Sequence, residues 1–192
     1  MKFEDDSFYI DQVKSGDVNA YTFLVEKHKD MVFTVAMKIA GNKEDAEEIA
    51  QDAFVKAYQS LDNFLHKAKF TTWIYRIVYN TAISKLRKKK LDKVTLQPEI
   101  TETYTLDEIV ENLDYYNVDE QKQMVDFAMG LLEPQEKLII SFYYLNDMPV
   151  DEIAEITGLS NSNVKVKLFR IRNKMQSALK NQLQESLKKM QP

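Results

Sequence analysis

Apolar residues recur at helical spacing along most of the chain. After a short opening segment, Ser15-Gly16-Asp17 reads as a turn that caps a helix. Val18, Tyr21, Val25, Val32, Val35, Ala36 and Ile39 then mark one face, and Gly41 stands where a C-cap belongs. Asn42 can cap a second helix lined by Ala46, Ile49, Ala50, Ala53, Phe54 and Ala57, which runs to about Leu61. A break around 62–72 precedes a third helix with Ile74, Ile77, Val78 and Thr81 as its inward stripe, continuing into Arg87-Lys88-Lys89-Lys90. From Leu91 to about Val118 the periodicity weakens; Thr, Glu, Asp and Pro98 mark a linker, with a short helix near 106–113. A C-terminal group starts near Asp119: one helix to about Leu132, another opened by Glu133-Pro134 and running through Leu145, then two more. The tail after Leu179 is expected to fray. Four Gly and four Pro in 192 residues are too few for a turn-rich β architecture, so the expected fold is all-α. It comprises two small helical domains, 1–93 and 119–192, joined by an acidic linker at 94–118.

Composition narrows the class. No cysteine is present, which excludes disulfides and thiolate metal sites. The longest apolar runs, such as Leu138-Ile139-Ile140, fall far short of the roughly 20 residues that span a bilayer, so no membrane insertion is expected. The acidic opening lacks the basic-then-apolar order of a secretory signal, and a cytoplasmic protein is expected. The net charge of −4 conceals a segregation. Residues 66–93 carry nine Lys or Arg against one acid, and 160–192 carry eight against one, whereas 94–136 carry one against eleven. Two basic segments flanking an acidic one suit two local contacts with a polyanion; the competing reading is solvated helix faces.

The run from Pro149 to Leu168 has helix-turn-helix arithmetic. Ala154 sits where two helices approach closely, Gly158 turns the chain four residues later, Leu159 and Val164 plug the angle, and Ser160 caps the second helix. An ordinary αα-corner is the alternative. At 100° per residue, Val164, Leu168 and Ile171 form the core stripe of that second helix. Ser162, Asn163, Val166, Phe169, Arg170 and Asn173 point away, with Lys165 and Arg172 on one rim and Lys167 and Lys174 on the other. Such a face suits a major groove between two phosphate walls, although Phe169 alone could equally pack on a neighbouring helix.

Residues 64–90 interleave Phe64, Phe70, Trp73, Tyr75 and Tyr79 with cations and no compensating acids. Unstacked bases need π-faces and their backbone needs positive charge, so this is the make-up of a single-strand binder. Any one of these rings could instead be core. Trp73, Arg76, Asn80, Ser84 and Arg87 share the face opposite the inward stripe.

These pieces, taken in order, carry a resemblance. Glu44-Asp-Ala-Glu-Glu-Ile-Ala-Gln-Asp-Ala-Phe-Val-Lys-Ala-Tyr58, then Phe70-Thr-Thr-Trp-Ile-Tyr-Arg-Ile-Val-Tyr-Asn80, then Leu132-Glu-Pro and the helix-turn-helix resemble the extracytoplasmic-function (ECF) sigma factors of bacterial RNA polymerase. The similarity covers about 20–90 and 120–180. It implies a first domain that binds the clamp helices of the polymerase largest subunit and captures the −10 non-template strand. It implies a second domain that binds the flap of the other large subunit and reads the −35 duplex. By position, Gln51, Asp52 and Phe54, with Glu48 on the same helix, resemble the clamp-binding residues. Leu65, His66, Lys67 and Lys69 fall in the loop that holds a flipped base, and Asn80 resembles a base-reading position. Trp73, Arg76 and Arg87 share its face as −10 contacts. Lys165, Val166, Phe169 and Arg170 resemble −35 reading positions, with Ser162, Asn163, Lys167 and Lys174 beside them. Two departures, Ser162-Asn163 for the usual Gly-Thr and Val166 for a more typical Ser, point to an altered −35 preference. The resemblance also implies core RNA polymerase, promoter DNA and an anti-sigma factor as partners.

Enzymatic readings fare poorly. The carboxylates Glu44, Asp45, Glu47, Glu48 and Asp52 lack the accompanying Glu-x-x-His of a metal-binding helix. His28 and His66 have no ligand-type neighbour at i+3 or i+4, and no glycine-rich phosphate loop is present. No catalytic residue, metal or cofactor is expected. The rival class is a stand-alone helix-turn-helix regulator with a sensing or dimerising N-terminal domain, which would not need the aromatic-basic segment. A third class, an interaction module held by another protein, is compatible with the first.

Overall fold

The computed structural model describes residues 5–91 and 117–190, with side chains at 5–88 and 117–182. Every regular element among them is helical: α1 Asp6–Lys14, α2 Ala20–Ala40, α3 Lys43–Ser60, a 3-10 turn Leu61–Asn63, α4 Phe70–Leu91, α5 Val118–Gly130, α6 Pro134–Tyr144, α7 Val150–Thr157 and α8 Asn161–Met190. The chain has two helical domains joined by a linker. The linker and the short helix expected at 106–113 lie outside the described residues.

Local chemistry explains the boundaries. Gly41 adopts φ +75°, and its N–H donates to the Met37 carbonyl at 2.9 Å, a left-handed cap that would strain a β-carbon. Asn42 then accepts from the Asp45 N–H at 2.9 Å and starts α3. Asn117 and Glu120 satisfy each other's backbone N–H groups at 3.0 Å, a capping box that opens α5. Pro134 occupies the first turn of α6, and Glu136 reaches back to the Glu133 N–H at 2.9 Å. Each side-chain cap of this kind stabilises a helix by about 1 kcal/mol.

The structure revises three expectations. The opening segment is itself a helix, α1, which buries Tyr9 and Ile10. In α2 the buried face is Ala20, Leu24, His28, Val32, Val35, Ala36 and Ile39, while Val18 precedes the helix and is exposed. The stripe is rotated at its start because α1 packs there, with Tyr9 stacked on Phe23 and Asp6 paired with His28. The C-terminal helix continues to Met190, in keeping with a run rich in Ala, Leu, Lys, Gln and Met, strong helix formers.

In the N-terminal domain α2, α3 and α4 pack on one another and α1 lies across α2. In the C-terminal domain α8 takes contacts from α5, α6 and α7. The two domains then share one apolar core. Face to face, α7 lies on α4 and α6 lies on α2. The Tyr75 and Phe142 rings meet edge-on at 5.1 Å, Gln135 Nε2 donates to the Tyr79 hydroxyl, and Lys69 Nζ stands 3.6 Å from a Glu152 carboxylate. Burial pushes the Tyr75 and Tyr79 hydroxyls above the ordinary tyrosine range.

Candidate nucleic-acid and polymerase interfaces

Helix α4 is sandwiched, and that decides which of its side chains remain available. One side meets α2 and α3, another meets α7. The strip left to solvent carries Arg76, Asn80, Ser84 and Arg87, at intervals of four, four and three. Each is fully on the surface, so a guanidinium, an amide and a hydroxyl present donors and acceptors along about three turns. The aromatic expectation needs correcting here. Phe64, Phe70, Tyr75 and Tyr79 are buried, because a helix packed on two sides spends its rings on the core. Trp73 is half-buried, with its ring 5.2 Å from Phe64 and 5.6 Å from Phe70. It is the ring on this helix left partly open for stacking.

The loop before α4 is largely exposed. Leu65, His66, Lys67 and Lys69 all face solvent, and Leu65 is 66% exposed. His66 takes a left-handed backbone at φ +55°, which non-glycine residues rarely adopt. Its ring lies 4.8 Å from Phe64, and its Nε2 stands 3.5 Å from an Asp11 carboxylate. Lys14 Nζ donates to the Phe64 carbonyl at 2.7 Å. The first helix thus straps the loop down, a feature that sequence spacing alone does not display.

The helix-turn-helix is built as its motif requires. Gly158 turns the chain at φ +71°, and its N–H donates to the Ala154 carbonyl at 2.9 Å. Ser160 Oγ accepts from the Asn163 N–H at 3.2 Å. Val164, Leu168 and Ile171 are buried. Ser162, Asn163, Lys165 and Arg170 are exposed, and so are Val166 at 47% and Phe169 at 48%. Two rim cations are otherwise engaged. Lys174 Nζ donates to Glu136 at 2.9 Å, and Arg172 Nε and Nη1 donate at 3.3 Å to the Leu168 carbonyl and the Tyr144 hydroxyl. Both brace α8 against α6. Lys167 is half-buried and Lys165 is open.

On α3, Gln51 and Asp52 are exposed, whereas Phe54 is half-buried against the core. The Tyr21 hydroxyl donates to the Phe54 carbonyl at 2.7 Å, and burial raises that tyrosine's pKa. Glu48 is exposed but accepts from Lys85 Nζ at 2.6 Å, with Asp45 on the same ammonium at 3.2 Å. Burial opposes the Lys85 charge, yet its hydrogen bonds to Glu48 and Asp45 and their negative charge outweigh burial and hold its pKa above the usual lysine value. Two residues not singled out in the sequence complete this face. Val55 is 55% exposed and Tyr58 lies edge-on to Tyr21 at 5.0 Å, its outer side open. Their spacing of four and seven from Gln51 is the signal that points to them.

Two family models match the chain: Sigma-70 region 2 over residues 24–91 and Sigma-70 region 4 over 122–175. Among curated proteins, the ECF RNA polymerase sigma factor SigW of Bacillus subtilis is 32% identical over 183 residues, covering 89% of this chain and 95% of that protein. The ECF RNA polymerase sigma-E factor of Escherichia coli is 28% identical over 185 residues, covering 91% and 96%. Two solved structures share the fold. One is CnrH in complex with the cytosolic domain of CnrY, with TM-score 0.62, 22% identity and coverage of 93% of this chain and 99% of that one. The other is the sigma factor RpoE in complex with the anti-sigma factor NepR from Bartonella quintana, with TM-score 0.61, 20% identity and coverage of 85% and 98%. With both helical domains matched in order and a relative at this identity over nearly its full length, the chain belongs to the ECF sigma factors, non-catalytic transcription initiation factors that direct RNA polymerase to specific promoters.

Proposed function

We propose that three separate faces divide the work of initiation. The face of α3 around Glu48, Gln51, Asp52, Phe54, Val55 and Tyr58 docks on the polymerase clamp. The strip Arg76, Asn80 and Arg87, with Trp73 and the loop Leu65, His66, Lys67 and Lys69, holds the unpaired −10 strand. The α8 face of Ser162, Asn163, Lys165, Val166, Phe169 and Arg170, with Lys167 at its edge, reads the −35 duplex. Residues 1–93 and 119–192 act as the two functional domains, in the cytoplasm and without chemistry of their own. Lys174 serves the domain as a brace on Glu136 before it serves DNA. The carrying observation is that Asn80 and Phe169, one on each domain, both stand outside the shared core. An anti-sigma protein is an expected partner, as the anti-sigma factor NepR is of the sigma factor RpoE in the Bartonella quintana complex.

Reading both elements at once requires the domains to part. Elements about 25 bp apart are separated by roughly 85 Å of B-DNA at about 3.4 Å per step. A chain of 192 residues packed as one body has a radius of gyration near 16 Å, hence a diameter of only about 40 Å. The α4–α7 and α2–α6 contacts are therefore the ones that must open on the promoter.

The test uses core polymerase and a promoter in duplex and pre-melted forms. Asn80→Ala should slow open-complex formation on the duplex by about tenfold or more, and the pre-melted −10 bubble should recover part of it. Normal opening by Asn80→Ala and by a Lys67→Ala, Lys69→Ala double variant would reduce this strip to a basic scaffold.

A further inference from the structure

Beside the 65–69 loop lies a cavity of about 340 Å³. Phe64 and Phe70, both buried and meeting edge-to-face at 5.8 Å, form its apolar side. Ala68, Lys69 and Thr71 border it from the loop and the start of α4. The third wall comes from a remote part of the chain: Asp5, Asp6 and Ser7, at the start of α1.

These three residues have different duties. Asp6 is committed to the structure, its Oδ1 taking Lys27 Nζ at 2.9 Å and the buried His28 Nε2 at 3.0 Å. Asp5 stands at the N-cap of α1, where a carboxylate ordinarily accepts from an N–H of the first turn. Its side chain makes no such cap bond, and among the described residues its backbone carbonyl accepts from the Phe8 N–H at 3.1 Å. Asp5 is exposed, and it lines the cavity together with the half-buried Ser7. The wall is fixed in place, since Lys14 and Asp11 tie α1 to Phe64 and His66 of the loop.

We infer that Asp5, with Ser7, is a specificity-determining contact for the unstacked −10 base, accepting a hydrogen bond from an exocyclic amino group and disfavouring thymine. The inference rests on the proposal that the loop captures a flipped base. A carboxylate can only accept, so it suits the amino groups of cytosine, adenine or guanine. Thymine has no amino group; its one donor, N3–H, is flanked by O2 and O4, whose lone pairs would sit against the negative charge. The aromatic floor supplies a base-tolerant apolar contact, and Lys69 lies at the edge for the backbone phosphate once Glu152 releases it.

The experiment reconstitutes the full chain with core polymerase and selects heparin-resistant open complexes from a promoter library randomised across the −10 non-template strand. Wild type should exclude thymine at one position by about tenfold. Asp5→Ala should admit thymine at that position and leave the others unchanged. Asp5→Asn, whose amide can also donate, should flatten the same preference. Ala68→Trp fills the cavity from an exposed loop and should abolish selection at that position altogether; Ala68→Val replaces it if the Trp variant loses helix content. Unchanged selection by both Asp5 variants, with selection lost in the cavity-filling variant, would overturn the role of Asp5 and leave base capture standing. Unchanged opening and selection in the cavity-filling variant would overturn base capture itself and this inference with it. Thymine preferred by wild type at the position that Ala68 variants affect would also overturn the role of Asp5.

Discussion

Helices α4 and α8 face similar tasks with opposite uses of their apolar residues. Both carry a core stripe and an outward polar strip. In α4, Phe70, Tyr75 and Tyr79 are buried and the outward strip is polar and cationic. In α8, Val166 and Phe169 stand outside the core among polar neighbours. The difference follows from how many sides are packed. Helix α4 is covered by α2 and α3 and again by α7, so little of its circumference is free. The outer side of α8 stays open at Val166 and Phe169, while Val164, Leu168 and Ile171 are buried in the core. An exposed ring or branched side chain is unfavourable in water unless something covers it, and a thymine methyl or a sugar would. The open strip of α4 therefore offers polar groups with one half-open Trp73, and the outer side of α8 offers apolar surface between cations.

The contrast can be broken at its packed end. Phe142 lies in the core that both domains share, against Tyr75 of α4. Phe142→Ala should destabilise the chain by about 3–5 kcal/mol, measured by urea unfolding followed by circular dichroism. Phe169→Ala, on the open side of α8, should stay within about 0.5 kcal/mol in the same assay. Equal losses would mean that Phe169 is core after all.

At the open end, Arg170→Ala should cost roughly 1–3 kcal/mol at particular −35 positions and leave the remainder unchanged, read from a duplex library. A uniform loss across all sequences would make Arg170 a phosphate contact. The rim separates further. Lys165→Ala should lower the slope of log affinity against log salt by about one, since Lys165 is open. Lys174→Ala should leave the slope nearly unchanged and destabilise the fold by less than about 1 kcal/mol, because its ammonium already serves Glu136.

The smallest effect concerns pH. Tyr75 and Tyr79 have raised pKa values in the folded chain, so their neutral forms are favoured there. Their contribution is fully present below the unfolded tyrosine pKa of about 10 and is lost as pH rises through the higher folded values. The urea midpoint should fall in that alkaline window, and fall less steeply in Tyr79→Phe. A parallel fall in both proteins would assign the effect elsewhere.

The caps and the C-terminal motif were legible because their signals are short-range. Gly41, Asn42, Pro134, Gly158 and Ser160 act within a few residues, so spacing alone places them. The α8 wheel was legible because one packed side leaves a clean division into inside and outside. The N-terminal segment was not. Its helix is only nine residues long, and it is held by partners far along the chain: Asp6 by Lys27 and His28, Lys14 by Phe64, Asp11 by His66. The fate of the aromatic residues in 64–79 was equally hidden, since a periodic stripe shows one buried face and α4 has two.

What the sequence determined by itself is the helical class, the two domains with their acidic linker, and the polar strips of α4 and α8, all of which follow from periodicity, capping and charge over a few turns. What only the tertiary structure decided is the joining of both domains in one core through Tyr75 and Phe142, the diversion of Lys174 and Lys69 into ion pairs, and the third wall that α1 adds to the cavity beside the 65–69 loop. Those outcomes depend on pairs of side chains 38 to 83 positions apart for the ion pairs, and at 50 for the Lys14 strap. A helical pattern records which face a residue takes, but not which distant element arrives to meet it.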